Sequence, residues 1–215
     1  MSYETAGDRA YKILKDKIIS LRLEPGSVIN EAALIEELQM GRSPIRDALR
    51  RLEQDAFIVI LPRQGTLVAD SGLSDFHEIF ELRHELEGFA AYLAAKRAKP
   101  FHLKALQELL LEVDDNMDPR DHERDIDIDT RFHKIIRDAA ANQYLSSTLE
   151  KLVAHSIRLF YLAHTRSASA VDQITDYRAI YNSIQAGDAD SARDLMQAHI
   201  LISQNRIQVS LARPE

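Results

Sequence analysis

The sequence predicts a mainly α-helical protein with two domains, a small one that combines three helices with a β-hairpin and a larger all-helical one. Apolar residues recur at spacings of three and four through most of the 215 residues, which is the pattern of helices with one buried face. Residues 57–69 are rich in β-formers, and the short polar stretch 70–74 follows them. We therefore expect domains at residues 1–70 and 71–215.

Two helices open the first domain. The apolar face of the first, over residues 8–21, carries Tyr11, Leu14, Ile18 and Leu21. The stretch Glu24-Pro25-Gly26 ends that helix, and Asn30 is a good N-cap for a short second helix.

A third helix is predicted in the stretch GRSPIRDALRR, residues 41–51. Ser43 is its expected N-cap and Pro44 its first helical residue, where the missing N–H costs nothing. Arg42, Arg46 and Arg50 are expected on the exposed side. The buried stripe should contain Ile45, Ala48, Leu49 and Leu52.

Two strands follow, at residues 57–61 and 66–69, and the turn between them contains Gly65. Helix, short helix, tight turn, helix and hairpin is the order of a winged helix-turn-helix, whose third helix enters the major groove of DNA. Arginine reads guanine bidentately, and Arg and Ser also bind phosphates, which makes Arg42, Ser43 and Arg46 candidate DNA contacts. Taken alone, the arginines would fit a solvated helix face with acidic partners better, and it is the order of the elements that favours DNA binding.

The stretch LEPGSVINEAALIEELQMGRSPIRDALRRLEQDAFIVILPRQGTLV resembles the DNA-binding region of the GntR family of bacterial transcription regulators. That family has a Leu-x-Pro-Gly turn, an acidic second helix, an Arg-(Thr/Ser)-Pro-(Val/Ile)-Arg-(Glu/Asp)-Ala-Leu recognition helix and a wing with Pro and Gly. The resemblance covers nearly all of residues 10–69. It implies base and phosphate contacts by Arg42, Ser43 and Arg46, and a wing tip near the minor groove at Gly65. Arg50 is a candidate for a phosphate contact.

Two positions depart from the family pattern. Gln39-Met40-Gly41 replaces the usual Gly-Val-Ser, and Ala32 stands where many relatives have an arginine. The first departure affects a phosphate contact, and the second removes one.

The second domain is predicted to contain six helices, at residues 75–98, 101–116, 121–140, 143–164, 169–186 and 188–211. The breaks between them are expected at Pro100, at Met117-Asp118-Pro119, at Asn142 and at Gly187. Five polar residues lie on helix faces that should point inward: Arg83, Asp129, His133, Tyr177 and His199.

Asp129 and His133 are four residues apart on one helix face, so both could bind one divalent ion. His199 would add a nitrogen ligand, in an arrangement suited to Zn, Ni or Mn, and Arg83 could hold a carboxylate ligand. In the alternative without a metal, the Asp–His pair is structural and Arg83 forms a salt bridge with Glu87 in its own helix.

The stretches DFHEIFELRHELEGFAAYLAAKRA, DIDTRFHKIIRDAAANQYLSSTLEKL and DADSARDLMQAHI resemble the FCD ligand-binding domain of the FadR subfamily of GntR regulators. Many members hold a metal with Asp and His on one helix and two later His, and bind small carboxylates against it. The resemblance implies Asp129, His133 and His199 as metal ligands, and Arg83 and Tyr177 as effector contacts. Tyr177 stands at the usual position of the fourth ligand, although a neutral phenol with a pKa near 10 is a poor ligand. Either three residues hold the metal together with solvent or effector, or the site is metal-free.

Composition excludes several classes of protein. The chain contains no cysteine, which rules out disulfides and thiolate sites. No apolar run approaches the roughly 18 residues of a membrane span, and the N-terminus does not resemble a signal peptide, so the cytoplasm is the expected location. The net charge is -7, with 10 basic against 11 acidic residues in 1–70 and 17 against 23 in 71–215. The arginines of 41–51 therefore form a local basic patch.

These patterns predict a homodimeric transcription regulator, not an enzyme. We expect a repressor that binds a near-palindromic double-stranded operator and is modulated by a small organic acid in the helical domain. One alternative is a metal-dependent helical enzyme with an appended winged helix, in which Asp129, His133 and His199 activate water. Another is a regulator whose helical domain only dimerises.

Overall fold

The computed structural model describes residues 4–63, 65–70, 73–115, 122–166 and 174–211. The chain divides into two compact units, Met1–Leu73 and Ser74–Glu215. Part of the expected linker (residues 71–72), the expected break at 117–119 and the expected start of a helix at 169 lie outside the described residues.

The first unit contains three helices and a small sheet. The helices are α1 (Ala6–Ile19), α2 (Glu31–Leu38) and α3 (Arg42–Gln54), and the strands are β1 (Val28–Ile29), β2 (Ile58–Leu61) and β3 (Gly65–Val68). All pairing is antiparallel in the order β1-β3-β2, with Val28 and Val59 both opposite Leu67. The strand β1 was not predicted, because two residues are too few to show a period-two pattern.

Helix starts in this unit follow local capping chemistry. The side chain of Asn30 accepts hydrogen bonds from the backbone N–H groups of Ala32 and Ala33, at 3.0 and 3.2 Å, which confirms it as the N-cap of α2. The predicted N-cap of α3 is wrong: the cap is Gly41, and Ser43 lies inside the first turn. Pro44 is the third helical residue instead of the first, and it is tolerated in this first turn because the first N–H groups of a helix have no intrahelical acceptor.

The second unit contains six helices among the described residues: α4 (Leu73–Arg97), α5 (Pro100–Asp115), α6 (His122–Ala140), α7 (Gln143–Arg166), α8 (Ile174–Ala186) and α9 (Ala189–Leu211). Pro100 begins α5 instead of separating two helices, in agreement with the preference of proline for the first helical position. Phe76, Phe80 and Phe132 are fully buried in its core, where Tyr177 is only 2% exposed. None of the helices in the described part of the chain is long and apolar enough to cross a membrane.

Candidate functional site

The helix α3 presents an arginine-rich face. Its buried side consists of the four predicted apolar residues, and Arg42, Ser43, Arg46 and Arg50 are exposed. The Nε atom of Arg46 donates to Oε2 of Glu31 on α2 at 3.1 Å. Because this ion pair is exposed, it contributes about 0–1 kcal/mol and is easily exchanged for another anion.

Contacts with α1 fix the orientation of α3. The Nη1 atom of Arg51 donates to Oδ1 of Asp8 at 2.8 Å, and its guanidinium lies 4.2 Å from the ring centre of Tyr11. The hydroxyl of Tyr11 donates to Oδ2 of Asp55 at 2.6 Å. Arg51 therefore joins two helices within the first unit and is not part of the exposed arginine face.

The turn between β2 and β3 brings Arg63 and Gly65 to the surface of the first unit. Gly65 has a φ of +91°, a conformation that favours glycine, and a Cβ there would meet nothing within 4 Å. Arg63 is exposed, with a φ of +68°, and the sequence reasoning did not single it out. Its position between Pro62 and Gly65 in the predicted turn was the available signal.

Asp129, His133 and His199 come together inside the helical unit, with their candidate ligand atoms within 4.8 Å of one another. Oδ1 of Asp129 lies 3.5 Å from Nε2 of His133 and 3.7 Å from Nε2 of His199. Ligand atoms around a tetrahedral Zn²⁺ at about 2.0–2.1 Å are separated by roughly 3.3 Å, close to these distances. Nε2 of His133 is buried and makes no hydrogen bond with the described residues. The three residues therefore fit a divalent metal.

Tyr177 lies against the same cluster. Its hydroxyl donates to Oδ1 of Asp129 at 2.7 Å, and its ring centre is 5.2 Å from that of His199. Burial, followed by the neighbouring carboxylate of Asp129, raises the pKa of Tyr177 well above its usual value. The phenol consequently keeps its proton and acts as a donor to Asp129.

Glu87 on α4 contacts His133 of the cluster, and Arg83 on the same helix contacts Glu87. The Nε atom of Arg83 donates to Oε1 of Glu87 at 2.6 Å, and its Nη1 donates to Oγ of Ser156 at 2.8 Å. Oε2 of Glu87 contacts Nδ1 of His133. The structure thus contains the Arg83–Glu87 pair of the metal-free alternative. The contact between Glu87 and His133 was not anticipated, because it depends on how α4 packs on α6.

Opposite charges control protonation in this buried group. Burial would raise the pKa of Glu87, but Arg83 and His133 outweigh burial and lower it to about 2. Burial would lower the pKa of His133, but Glu87 and Asp129 outweigh burial and raise it to about 9. The pKa of Asp129 is held well below its usual value, because His133 and His199 overcome its burial.

A second arginine interacts electrostatically with Glu87. Arg137 on α6 is buried, and its Nε and Nη1 atoms make no hydrogen bond with the residues that the structure describes. Burial lowers its pKa, against the opposing effect of Glu87 and Glu150. Arg83 and Arg137 therefore both interact electrostatically with Glu87, and Arg83 also donates a hydrogen bond to it.

A small pocket adjoins the cluster. It has room for about one water molecule. A carboxylate ligand therefore requires side-chain movement before it can enter. The lining residues are Arg83, Asp125, Ile126, Asp129, Ser156, Ile157 and Phe160.

Comparison with known proteins agrees with both units. Residues 6–68 match the family described as bacterial regulatory proteins, gntR family, and residues 78–201 match the FCD domain. The chain is 28% identical over 192 residues to the HTH-type transcriptional regulator YdhC of Bacillus subtilis, covering 88% of this chain and 85% of that protein. It is 29% identical over 195 residues to the HTH-type transcriptional regulator McbR of Escherichia coli, covering 88% of each. The solved structure of E. coli McbR/YncC has the same fold, with a TM-score of 0.82 and 24% identity over 96% of this chain and 97% of that one.

Proposed function

Because this chain belongs to the bacterial gntR family, carries an FCD domain and is a transcription regulator, we propose that α3 binds operator DNA and that a metal-held carboxylate regulates it. The exposed arginine face of α3 supports the first part. The cluster of Asp129, His133 and His199 beside the Arg83 pocket supports the second. We further propose a homodimeric repressor, since a two-fold protein matches a near-palindromic operator.

In this proposal α3 is the recognition helix. Arg42, Ser43 and Arg46 lie at its N-terminal end, the part of a recognition helix that meets base edges and phosphates. Arg50 follows one turn later and contacts phosphate, while Gly65 lets the wing backbone approach the minor groove. Arg46 exchanges Glu31 for a DNA acceptor on binding.

The test is fluorescence anisotropy with DNA from upstream of the protein's own gene. Arg46→Ala should weaken specific binding by about 1–3 kcal/mol, the discrimination that one good arginine–base contact provides. Glu31→Gln should tighten binding, because it frees Arg46 and removes a negative charge near the phosphates. The control is Arg22→Ala, which removes an exposed arginine outside α3 and should leave affinity unchanged. Equal binding by Arg46→Ala and the wild type would reject α3 as the reader.

The pocket charges support a link between metal and effector. Asp125 and Asp129 both line it, so an anionic ligand meets two carboxylates as well as Arg83. A divalent ion held by Asp129, His133 and His199 would neutralise Asp129 and offer a Lewis-acidic partner to the incoming carboxylate. We therefore propose that carboxylate binding requires the metal.

Thermal unfolding of metal-stripped and Zn²⁺-loaded protein, with a panel of small carboxylic acids, tests this link. An acid that binds should raise the Tm of the loaded protein. At a concentration of 100 times its Kd, the acid adds about 2.7 kcal/mol to the free energy of unfolding. The same acid should leave the Tm of the metal-stripped protein unchanged. Stabilisation that persists without metal would contradict the link. Hydrolysis of an ester or phosphate by the loaded protein would favour the metal-dependent enzyme.

A further inference from the structure

Glu87 joins the wall of the pocket to a candidate metal ligand through an unbroken set of buried contacts. Ser156 accepts from Arg83, Arg83 donates to Oε1 of Glu87, and Oε2 of Glu87 contacts Nδ1 of His133. The side chains of Arg83, Glu87 and His133 are at most 4% exposed. Ser156 is 2% exposed.

The direction of these contacts is fixed by what each group can donate. The Nε atom of arginine can only donate, and an ionised carboxylate can only accept. Oε1 of Glu87 accepts from Arg83, and Oε2, which contacts Nδ1 of His133, would accept as well if that nitrogen carried a hydrogen. The lone pair available to a metal would then be on Nε2, the nitrogen that lies 3.5 Å from Oδ1 of Asp129.

We propose that Glu87 is a positioning residue of the metal site, which holds His133 with Nδ1 protonated and Nε2 directed to the ion. Carboxylates that accept a hydrogen bond from a metal-bound histidine orient the ring and increase its basicity. This inference rests on the proposed metal function and adds a residue to it. Arg83 acts one step further back, because it holds Glu87 in place.

The substitution Glu87→Gln tests the assignment while keeping the shape of the side chain. Arg83 can only donate, so the amide oxygen must face it and the amide NH₂ must face His133. The NH₂ group then donates to Nδ1, which moves the ring hydrogen to Nε2 and blocks the ligand position. We expect the Kd for Zn²⁺ to rise about 10–100-fold. The measurement is competition with a chromophoric zinc chelator, using the full chain stripped of metal.

Glu85→Gln is the matched control. Glu85 lies on the same helix, is 71% exposed, and has an oxygen 3.0 Å from Nδ1 of His84. It therefore undergoes the same loss of charge beside a histidine, away from the cluster, and its Kd for Zn²⁺ should equal that of the wild type.

A second measurement needs no change at Glu87, which matters because Glu87→Gln removes the carboxylate that pairs with the buried Arg83. Long-range ¹H–¹⁵N correlation spectra of the Zn²⁺-loaded wild type should show His133 protonated at Nδ1 and metal-bound at Nε2, with signals assigned by their loss in His133→Gln. An unprotonated Nδ1, or an unchanged Kd in folded Glu87→Gln, overturns the proposal. If the wild type does not bind Zn²⁺, the metal function itself fails, and this result is obtained before any Glu87 variant is made.

Discussion

Three polar groups of the helical unit surround Oδ1 of Asp129. Nε2 of His133, Nε2 of His199 and the hydroxyl of Tyr177 all lie within 3.7 Å of it. Of these three neighbours, Tyr177 carries no nitrogen lone pair, and it stands at the position where the resemblance to the FadR subfamily implies a fourth ligand. The identity of this one residue therefore decides whether protein alone can complete a four-ligand set.

Tyr177→His should tighten metal binding. A neutral imidazole is a good ligand for Zn²⁺, whereas the phenol of Tyr177 keeps its proton. We expect the Kd for Zn²⁺ to fall by at least about tenfold, equivalent to 1.4 kcal/mol, in a chelator competition assay. Tyr177→Phe removes the hydroxyl without adding a ligand and separates the two effects. An unchanged Kd in Tyr177→His would show that position 177 is outside ligand reach.

At the residue scale, spacing predicted part of this site. Asp129 and His133 are one helical turn apart, so their proximity follows from helix geometry. Glu87 is 46 positions before His133, and its contact depends on how α4 and α6 pack, which no local pattern encodes. The pairing of Arg83 with Glu87 was visible at i, i+4 but had no apparent connection with the metal ligands.

At the element scale, helix packing puts different constraints on two glycines. A Cβ at Gly88 on α4 would lie 2.7 Å from Cγ of Gln197 on α9, within the body of that side chain. A Cβ at Gly7 on α1 would lie 2.8 Å from Oδ2 of Asp47, the end of a side chain that is 53% exposed. The first contact cannot relax without moving the partly buried side chain of Gln197 from its Cγ onward, while the second can relax into solvent.

Gly88→Ala should therefore destabilise the helical unit, whereas Gly7→Ala should not destabilise the first unit. Overpacking costs about 1–3 kcal/mol, and the helix preference of alanine over glycine returns roughly 0.5–1 kcal/mol. We expect a net loss of about 1 kcal/mol in Gly88→Ala and no loss in Gly7→Ala, measured by urea unfolding followed by circular dichroism. A stabilised Gly88→Ala would mean that α4 and α9 separate at little cost.

Some helices and strands follow from the sequence more closely than others. Helices such as α4 and α7 repeat their apolar spacing over many turns, so the sequence located them within a few residues. The start of α3 was misplaced because Gly41, Ser43 and Pro44 all suit the first turn of a helix, and side-chain preference alone does not choose between them. The strand β1 exists through its pairing with β3, which lies nearly 40 residues further along the chain.

At the scale of the whole molecule, charge is distributed unevenly. The acidic excess of the chain belongs mainly to residues 71–215, while the first 70 residues are nearly neutral and concentrate their arginines on α3. If α3 binds DNA as proposed, the attraction is local and depends on few side chains. The net charge of -7 alone would have argued against a nucleic-acid partner.

Salt should weaken operator binding steeply in spite of that net charge. Each phosphate contact releases counterions. A plot of the logarithm of the binding constant against the logarithm of the salt concentration therefore falls with a slope of about 0.9 per phosphate contact. Arg50→Ala should lower this slope by about one, measured by anisotropy between 50 and 200 mM salt. The control Lys104→Ala removes an exposed cation of the helical unit and should leave the slope unchanged. An identical slope in Arg50→Ala would exclude Arg50 from the phosphate contacts.

Two hydrogen bonds already immobilise Arg83, which reduces the conformational entropy that its side chain would lose on binding a ligand. A free arginine side chain loses about 2 kcal/mol of rotamer freedom when it is immobilised. In this protein Glu87 and Ser156 already hold the guanidinium through Nε and Nη1, so that loss occurs when the helical unit folds. In the proposed function, a carboxylate that reaches Arg83 would meet an already ordered guanidinium, so that even a very small acid would bind with useful affinity.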